Sequence, residues 1–295
     1  MREVTWAHIG TDVTGTQTVN EVLARAGLDY TVHKENILIP NGKKIEGSVA
    51  TVKSTGEICG IVSDKYSIYQ NDEALDFVNS IPDIQFERAG ETHKGMIYII
   101  GKLPDLEVLG DKFTPHVIFQ TSHNGNYPLK ATICPLRIVC QNQFAWSFRQ
   151  MRNHITVRHS SLMPVKVAQA QTVISDVAQY MSGFSNTAEE LALLHISENT
   201  RYAIIDAFFD SARELTERQK EAMEAQRAFF NQCYAADDNG NFTGTAWGML
   251  NATSDYATHK PVKQTKTVNE SRFEKVTFDN EMMNKMLSLI NAMAR

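Results

Sequence analysis

The chain has 295 residues, 42% of them hydrophobic and 9% aromatic, with 29 Lys plus Arg against 34 Asp plus Glu for a net charge of -5. These proportions exclude intrinsically disordered, collagen-like and solenoid classes, and they allow one large domain or two smaller ones with a true core. The longest apolar runs fall far short of the ~18 residues that span a bilayer. The first residues show no basic stretch leading into an apolar one, so a cytosolic protein is expected.

In chain order, Tyr30 to Ile39 alternates apolar and polar side chains, and Ser48 to Ser63 gives two β-branched runs about Ser54-Thr55-Gly56, the pattern of a hairpin. Asn71 to Asn79 reads as a short capped helix, with Asn71 or Asp72 at its N-cap and Leu75, Phe77 and Val78 turned inward. A second hairpin is predicted from Phe86 to Lys102, turning at Thr92 to Gly95, and a third from His116 to Cys140, turning tightly at His123-Asn124-Gly125. Gly125 would supply the positive φ of that turn, whereas His123 reads as a surface residue whose loss costs little stability. Pro135 is expected to bulge or end its strand.

From Asn142 the pattern turns helical: Phe144, Ala145, Phe148 and Met151 fit one apolar stripe. Further helices are predicted over 161–182, 187–195 and 198–236, with a break in the last. The charged stretch 213–230 reads as a solvated helix or an oligomer contact, 245–256 as a short helix, 260–270 as a polar basic linker and 278–293 as a closing amphipathic helix. The predicted class is α+β: antiparallel hairpins with helices in an N-terminal part, 1–185, followed by a mainly helical part, 186–295.

Charge is unevenly distributed. The 64 residues from Lys112 to Ser175 contain no Asp or Glu but carry Lys112, Lys130, Arg137, Arg149, Arg152, Arg158 and Lys166. This segment, 112–175, has +7 in a chain of -5, so the remainder carries -12. A long stretch without one carboxylate points to contact with an anion.

Enzymatic motifs are missing. There is no G-x-x-x-x-G-K-[ST] and no G-x-G-x-x-G, hence no case for a P-loop or dinucleotide fold and no cofactor to expect. Cys134, Cys140, His154 and His159 have zinc-like spacing between the last three, yet the first gap, with Pro135 inside it, does not suit a zinc knuckle. Buried thiols are the simpler expectation. Ser122 and His123 cannot form a dyad by adjacency on a strand, and no carboxylate within the segment could orient a histidine. Asp64, Glu73 and Glu91 are the outside candidates, and they read more simply as caps or surface groups.

Single-stranded nucleic acid is held by cations that track phosphate and aromatics that stack on bases. Lys130, Arg137, Arg149, Arg152, Arg158, His159 and Lys166 would supply the first, and Tyr127 or Trp146, off the apolar stripe, the second. Arg137, flanked by Leu136, Ile138 and Val139, should have a covered stem and a guanidinium fixed by an acidic partner or a ligand.

Several runs carry a family resemblance: Trp6 to Gly10, Gly60 to Phe77, Ala89 to Gly95, Thr121 to Asn126, Pro135 to Asn142, Arg158-His159 and Thr245 to His259. In this order they resemble the phage/plasmid-like protein family built on domain of unknown function 932. Asn124 stands where that family usually has Asp, which removes a carboxylate from the turn, and Gln143 stands where Thr is common. The resemblance implies a mobile-element origin and a role in DNA recombination, replication or countering host defence. The leading expectation is a non-enzymatic single-stranded DNA binder, a recombination or annealing accessory in the host cytoplasm, with homo-oligomers extending the binding surface. The alternatives are an inhibitor that binds a host defence complex and a metal-dependent nuclease or nucleotide-processing enzyme.

Overall fold

The computed structural model describes residues 3–147, 153–156, 166–210, 214–263, 265–278 and 280–294. In chain order the strands are β1 Thr11–Asp12, β2 Val32–Leu38, β3 Lys44–Lys53, β4 Ile58–Ser63, β5 Gln85–Glu91, β6 Ile97–Lys102, β7 Leu106–Val108, β8 Asp111–Thr121, β9 Lys130–Arg137, β10 Asn142–Gln143 and β11 His154–Thr156. The helices are α1 Val19–Ala26, α2 Asn71–Leu75, α3 Lys166–Leu193, α4 Glu198–Phe209, α5 Glu217–Tyr234, α6 Ala246–His259, α7 Lys266–Thr277 and α8 Glu281–Met293. The class is α+β. The strands are concentrated in the first half and the long helices in the second.

One antiparallel sheet runs β1-β5-β6-β8-β9-β10, with β7 added to β8 and β11 to β9; β2-β3-β4 form a second, smaller sheet. The large sheet is covered on both faces, which explains the unbroken apolar run at Met96 to Gly101. Ile97, Ile99, Val117, Phe119, Ala131 and Ile133 point into a core that also takes in α1, α3, α6 and α8. The alternate residues Tyr98, Ile100 and Ile118 meet Trp6, Ile9 and Phe273 on the other side. The first of these cores draws buried side chains from Val13 through Ile290.

Several expectations are corrected. Pro135 neither bulges nor ends β9; it faces Pro115 across the ladder. Two prolines cannot exchange N–H bonds, so this is a non-hydrogen-bonded pair. Their carbonyls point outward, accepting from Phe144 and Leu103. The helix expected from Asn142 is not there. Asn142 and Gln143 form β10, residues 144–147 are irregular, and 148–152 lie outside the described residues. The expected N-cap of α2 is Gln70 rather than Asn71 or Asp72. Two expected helices fuse into the single α3, and the second part of the expected linker over 260–270 is the start of α7, from Lys266.

The third hairpin is joined by a loop over 122–129 rather than a tight turn. Gly125 does take a positive φ of 75° there. His123 is not a surface residue: it is 3% exposed, and its Nε2 lies 2.9 Å from Asn71 Oδ1. Thr51 donates to the His123 carbonyl at 2.7 Å and Tyr66 to the Ser122 carbonyl at 2.9 Å, pinning the small sheet onto this loop.

The least expected element is α6. Every residue from Ala246 to Thr258 is buried, although Asn251, Thr253, Ser254, Asp255 and Thr258 are polar. Gln143 ties it to the sheet: its backbone N–H donates to Thr258 Oγ1 at 3.1 Å, and its carbonyl accepts from Ser254 Oγ at 2.9 Å. The Gln143 side chain accepts from the Thr5 N–H and donates to Thr277 Oγ1, joining the N-terminal turn and α7 to the same point. On the other side, α7 is clamped to the β5–β6 turn, where Glu270 Oε2 receives His93 N–H at 2.7 Å and Lys94 pairs with Glu274 at 2.8 Å.

Candidate functional site

Where β8 and β9 meet the corner between α7 and α8, they leave a groove of about 580 Å³ lined by Gln120, Tyr127, Lys130, Lys260, Glu274, Lys275, Phe278, Asn280, Glu281 and Met282. Four parts of the chain converge here. Gln120 and Lys130 are register partners on β8 and β9. Tyr127 comes from the loop between them, braced by reciprocal 3.0 Å bonds between its backbone and Ser122 Oγ. Lys260 follows α6 directly, and Lys275 lies in the last turn of α7, where a cation suits the helix dipole.

Three lysines gather on this groove, which Glu274 and Glu281 also line. Burial, and then the charges of Arg272 and Lys275, push the Lys260 ammonium below its ordinary pKa. Burial alone lowers Arg272, whose Nε and Nη2 are buried without a hydrogen-bond partner. Glu274 does not neutralise this cluster, because its Oε2 is taken by Lys94 at 2.8 Å and by the Tyr127 hydroxyl at 3.4 Å. Burial, then the Glu274 charge, raises the Tyr127 phenol pKa and keeps it protonated at neutral pH.

Of the residues expected to contact nucleic acid, the structure brings Tyr127 and Lys130 together in this groove. Two others are placed elsewhere. Arg137, at the far end of β9, is 2% exposed and forms ion pairs with Asp111 at 2.6 Å and Asp238 at 3.2 Å. Its guanidinium is thus held by acidic partners and cannot reach a phosphate; one of them, Asp111, lies one residue before the carboxylate-free segment. Trp146 is 2% exposed and packs among Phe144, Phe184 and Trp247, so it cannot stack on a base. Off a helix, its position relative to the supposed stripe means nothing. Arg149, Arg152, Arg158 and His159 lie outside the described residues, as does the side chain of Lys166, which opens α3.

Sequence reasoning missed Gln120, Lys260, Arg272, Lys275 and Asn280. A signal was present in the basic character of the stretch read as a linker, but it sits some 130 residues from Lys130. A second cavity of about 680 Å³ is lined by Glu87, Lys102, Asp105, Thr114 and His116 among others. Its polar groups satisfy one another: His116 bonds Glu87 at 3.1 Å and Thr114 donates to Asp105 at 2.6 Å. Burial raises the Glu87 carboxyl, but His116 and Lys102 outweigh it and leave the group below its ordinary pKa.

Among the described residues, no three His, Cys, Asp or Glu side chains are grouped to hold a metal ion. Burial pushes the Cys134 and Cys140 thiols up to about 12, and the two face different partners, Gln143 and Arg137. No helix among the described residues is long and apolar enough to cross a membrane.

The family model described as "Domain of unknown function (DUF932)" matches residues 59–277, which include strands β5 to β11 of the large sheet and helices α2 to α7, but not β2 and β3 of the small sheet. The chain belongs to the DUF932 family. Comparison with curated proteins gives no match, and comparison with solved structures gives none either. The DUF932 match takes in Gln120, Tyr127, Lys130, Lys260, Glu274 and Lys275, and it stops just before Phe278 and Asn280.

Proposed function

We propose that this DUF932 protein is a phage- or plasmid-encoded binder of single-stranded DNA, a non-enzymatic accessory to annealing or recombination in the host cytoplasm. The observation that carries this reading is the convergence of Lys130, Lys260 and Lys275 on one groove beside Tyr127 and Phe278, where burial, and then the charges of Arg272 and Lys275, lower the Lys260 ammonium pKa. Bringing like charges together costs free energy unless an anion offsets it, and a phosphate backbone supplies repeated anions. The phenol and the Phe278 ring add faces on which a base can stack. Annealing by such a surface needs no cofactor: cations relieve the repulsion between two phosphate backbones, and copies of the chain extend the track along the strand.

The test is fluorescence anisotropy with labelled single- and double-stranded oligonucleotides at several salt concentrations, with and without Mg²⁺. With three or four phosphate contacts, log K should fall against log salt with a slope of about -2 to -3. Replacing Lys260 or Lys275 by Ala should make the slope shallower by about 0.7 each. A folded preparation that binds no oligonucleotide at ~50 mM salt would refute the reading, because salt screening is weak there. That result would favour a protein partner such as a host defence complex.

A further inference from the structure

The groove holds more than cations. Three of its lining side chains carry buried polar atoms with no hydrogen-bond partner: Gln120 Oε1, Glu274 Oε1 and Asn280 Nδ2. Gln120 is 4% exposed and Asn280 2%. Buried polar groups are normally paired, since an unmade bond leaves their desolvation uncompensated. Three such atoms around one groove point to a ligand that completes them.

Their chemistry is defined by the bonds already made. Asn280 Oδ1 caps α8 by accepting from the Met283 N–H, so its amide is oriented and the remaining group is an NH₂ donor. Glu274 Oε2 is occupied by Lys94 and Tyr127, leaving Oε1 as an acceptor. With the Gln120 oxygen, the unpartnered buried atoms of the lining are two acceptors and one donor. The pairing edges of the bases differ in this inventory. Thymine presents one donor and two acceptors, cytosine likewise, and adenine one of each. Guanine alone presents two donors, N1–H and N2–H₂, with one acceptor, O6.

We propose that the groove reads a guanine base, with Gln120 and Glu274 accepting from its N1–H and N2–H₂ and Asn280 donating to its O6. The proposal rests on the nucleic-acid reading above and deepens it: the lysines hold the phosphates on either side while Tyr127 or Phe278 covers a face of the base. It also gives Glu274 a purpose in a groove for a polyanion, where a carboxylate would otherwise weaken binding.

The experiment compares labelled oligo(dT) of about twelve nucleotides, within the usual range of single-strand sites, with the same strand carrying one central dG, dA, dC or deoxyinosine. The dG strand should bind about tenfold more tightly than oligo(dT), in line with base discrimination through paired hydrogen bonds. Deoxyinosine, which lacks the 2-amino group, should fall between them. Gln120→Met, similar in size but without the amide, should reduce the dG preference to within about twofold, with melting and circular dichroism confirming the fold. Asn280→Asp keeps the α8 cap but loses the donor, and should reduce the preference likewise.

Equal affinity for all strands, or a stronger preference for another base, would overturn the guanine assignment and leave phosphate binding intact. A full dG preference in folded Gln120→Met would overturn it as well. Binding of no strand at all would overturn both readings together.

Discussion

His123 offers a quantitative test of the packing between the small sheet and the β8–β9 loop. Its ring is buried against Tyr30, and Nε2 donates to Asn71 Oδ1, because the Asn71 NH₂ is itself donating to the Leu28 carbonyl. Burial lowers the imidazole pKa from 6.5 to about 4; the nearby Glu91 charge opposes this and Lys53 assists it. In the unfolded chain the ring takes a proton as pH falls through about 6.5, while in the folded chain it stays neutral down to about 4. The unfolded state therefore binds more protons in that window, and stability present above pH ~6.5 is lost on acidification. The whole shift is worth roughly 3 kcal/mol, and about 2 kcal/mol of it should disappear between pH 7.5 and pH 5. Urea unfolding at both pH values, for wild type and His123→Gln, isolates this contribution, since the carboxylates titrate in both proteins. The wild type should lose about 2 kcal/mol more than the variant over that interval. The same pH dependence in both would show that the ring is solvated and that the loop is packed differently.

Two further perturbations test the fold. Arg137→Ala leaves Asp111 and Asp238 facing each other without their shared cation, and should cost roughly 3 kcal/mol in chemical denaturation; a loss under about 1 kcal/mol would make the pair an ordinary surface contact. Gly10→Ala places a methyl group 2.3 Å from the Tyr98 hydroxyl and 2.4 Å from the Ala89 carbonyl oxygen at a φ of +60°. It should lower stability by about 2 kcal/mol or more, and an unchanged melting temperature would mean that β1 does not lie against β5 at this point.

The hairpins were legible because alternation is a local signal that a two-faced strand cannot avoid. Tyr30 to Ile39 and Phe86 to Lys102 are strands in the structure as they are in the pattern. The segment after Asn142 was misread for the complementary reason. Phe144, Ala145 and Trp146 are all buried, in an irregular stretch enclosed by α3, α6 and the sheet, and apolar spacing cannot tell that from one face of a helix. His123 likewise looked like a loop-tip residue, because its cover comes from Asn71 and Tyr30, more than 50 residues earlier. Half of the groove was similarly hidden. Tyr127 and Lys130 stood out beside a turn in a basic segment, but Gln120 is one polar residue in a strand and Asn280 one more helix cap. Only the docking of α7 on the β5–β6 turn brings Lys260 and Lys275 across from them.

The enclosed position of α6 sets a condition on how the chain can be made. Its ring-lined side chains, Trp247 and Tyr256 among them, complete the core that the first-half sheet presents on one face, with Trp247 stacked on Phe144. A nascent chain on the ribosome has all of β1 to β10 available long before residue 246 emerges. Until then the core on that face, already partly covered by α1 and α3, lacks the α6 side chains, and Gln143 lacks its Thr258 and Ser254 partners. The first half therefore waits on α6, in the last sixth of this sequence, to complete its core. Any nonsense mutation upstream of Ala246 should yield a chain that chaperones and proteases treat as unfolded rather than a smaller working domain.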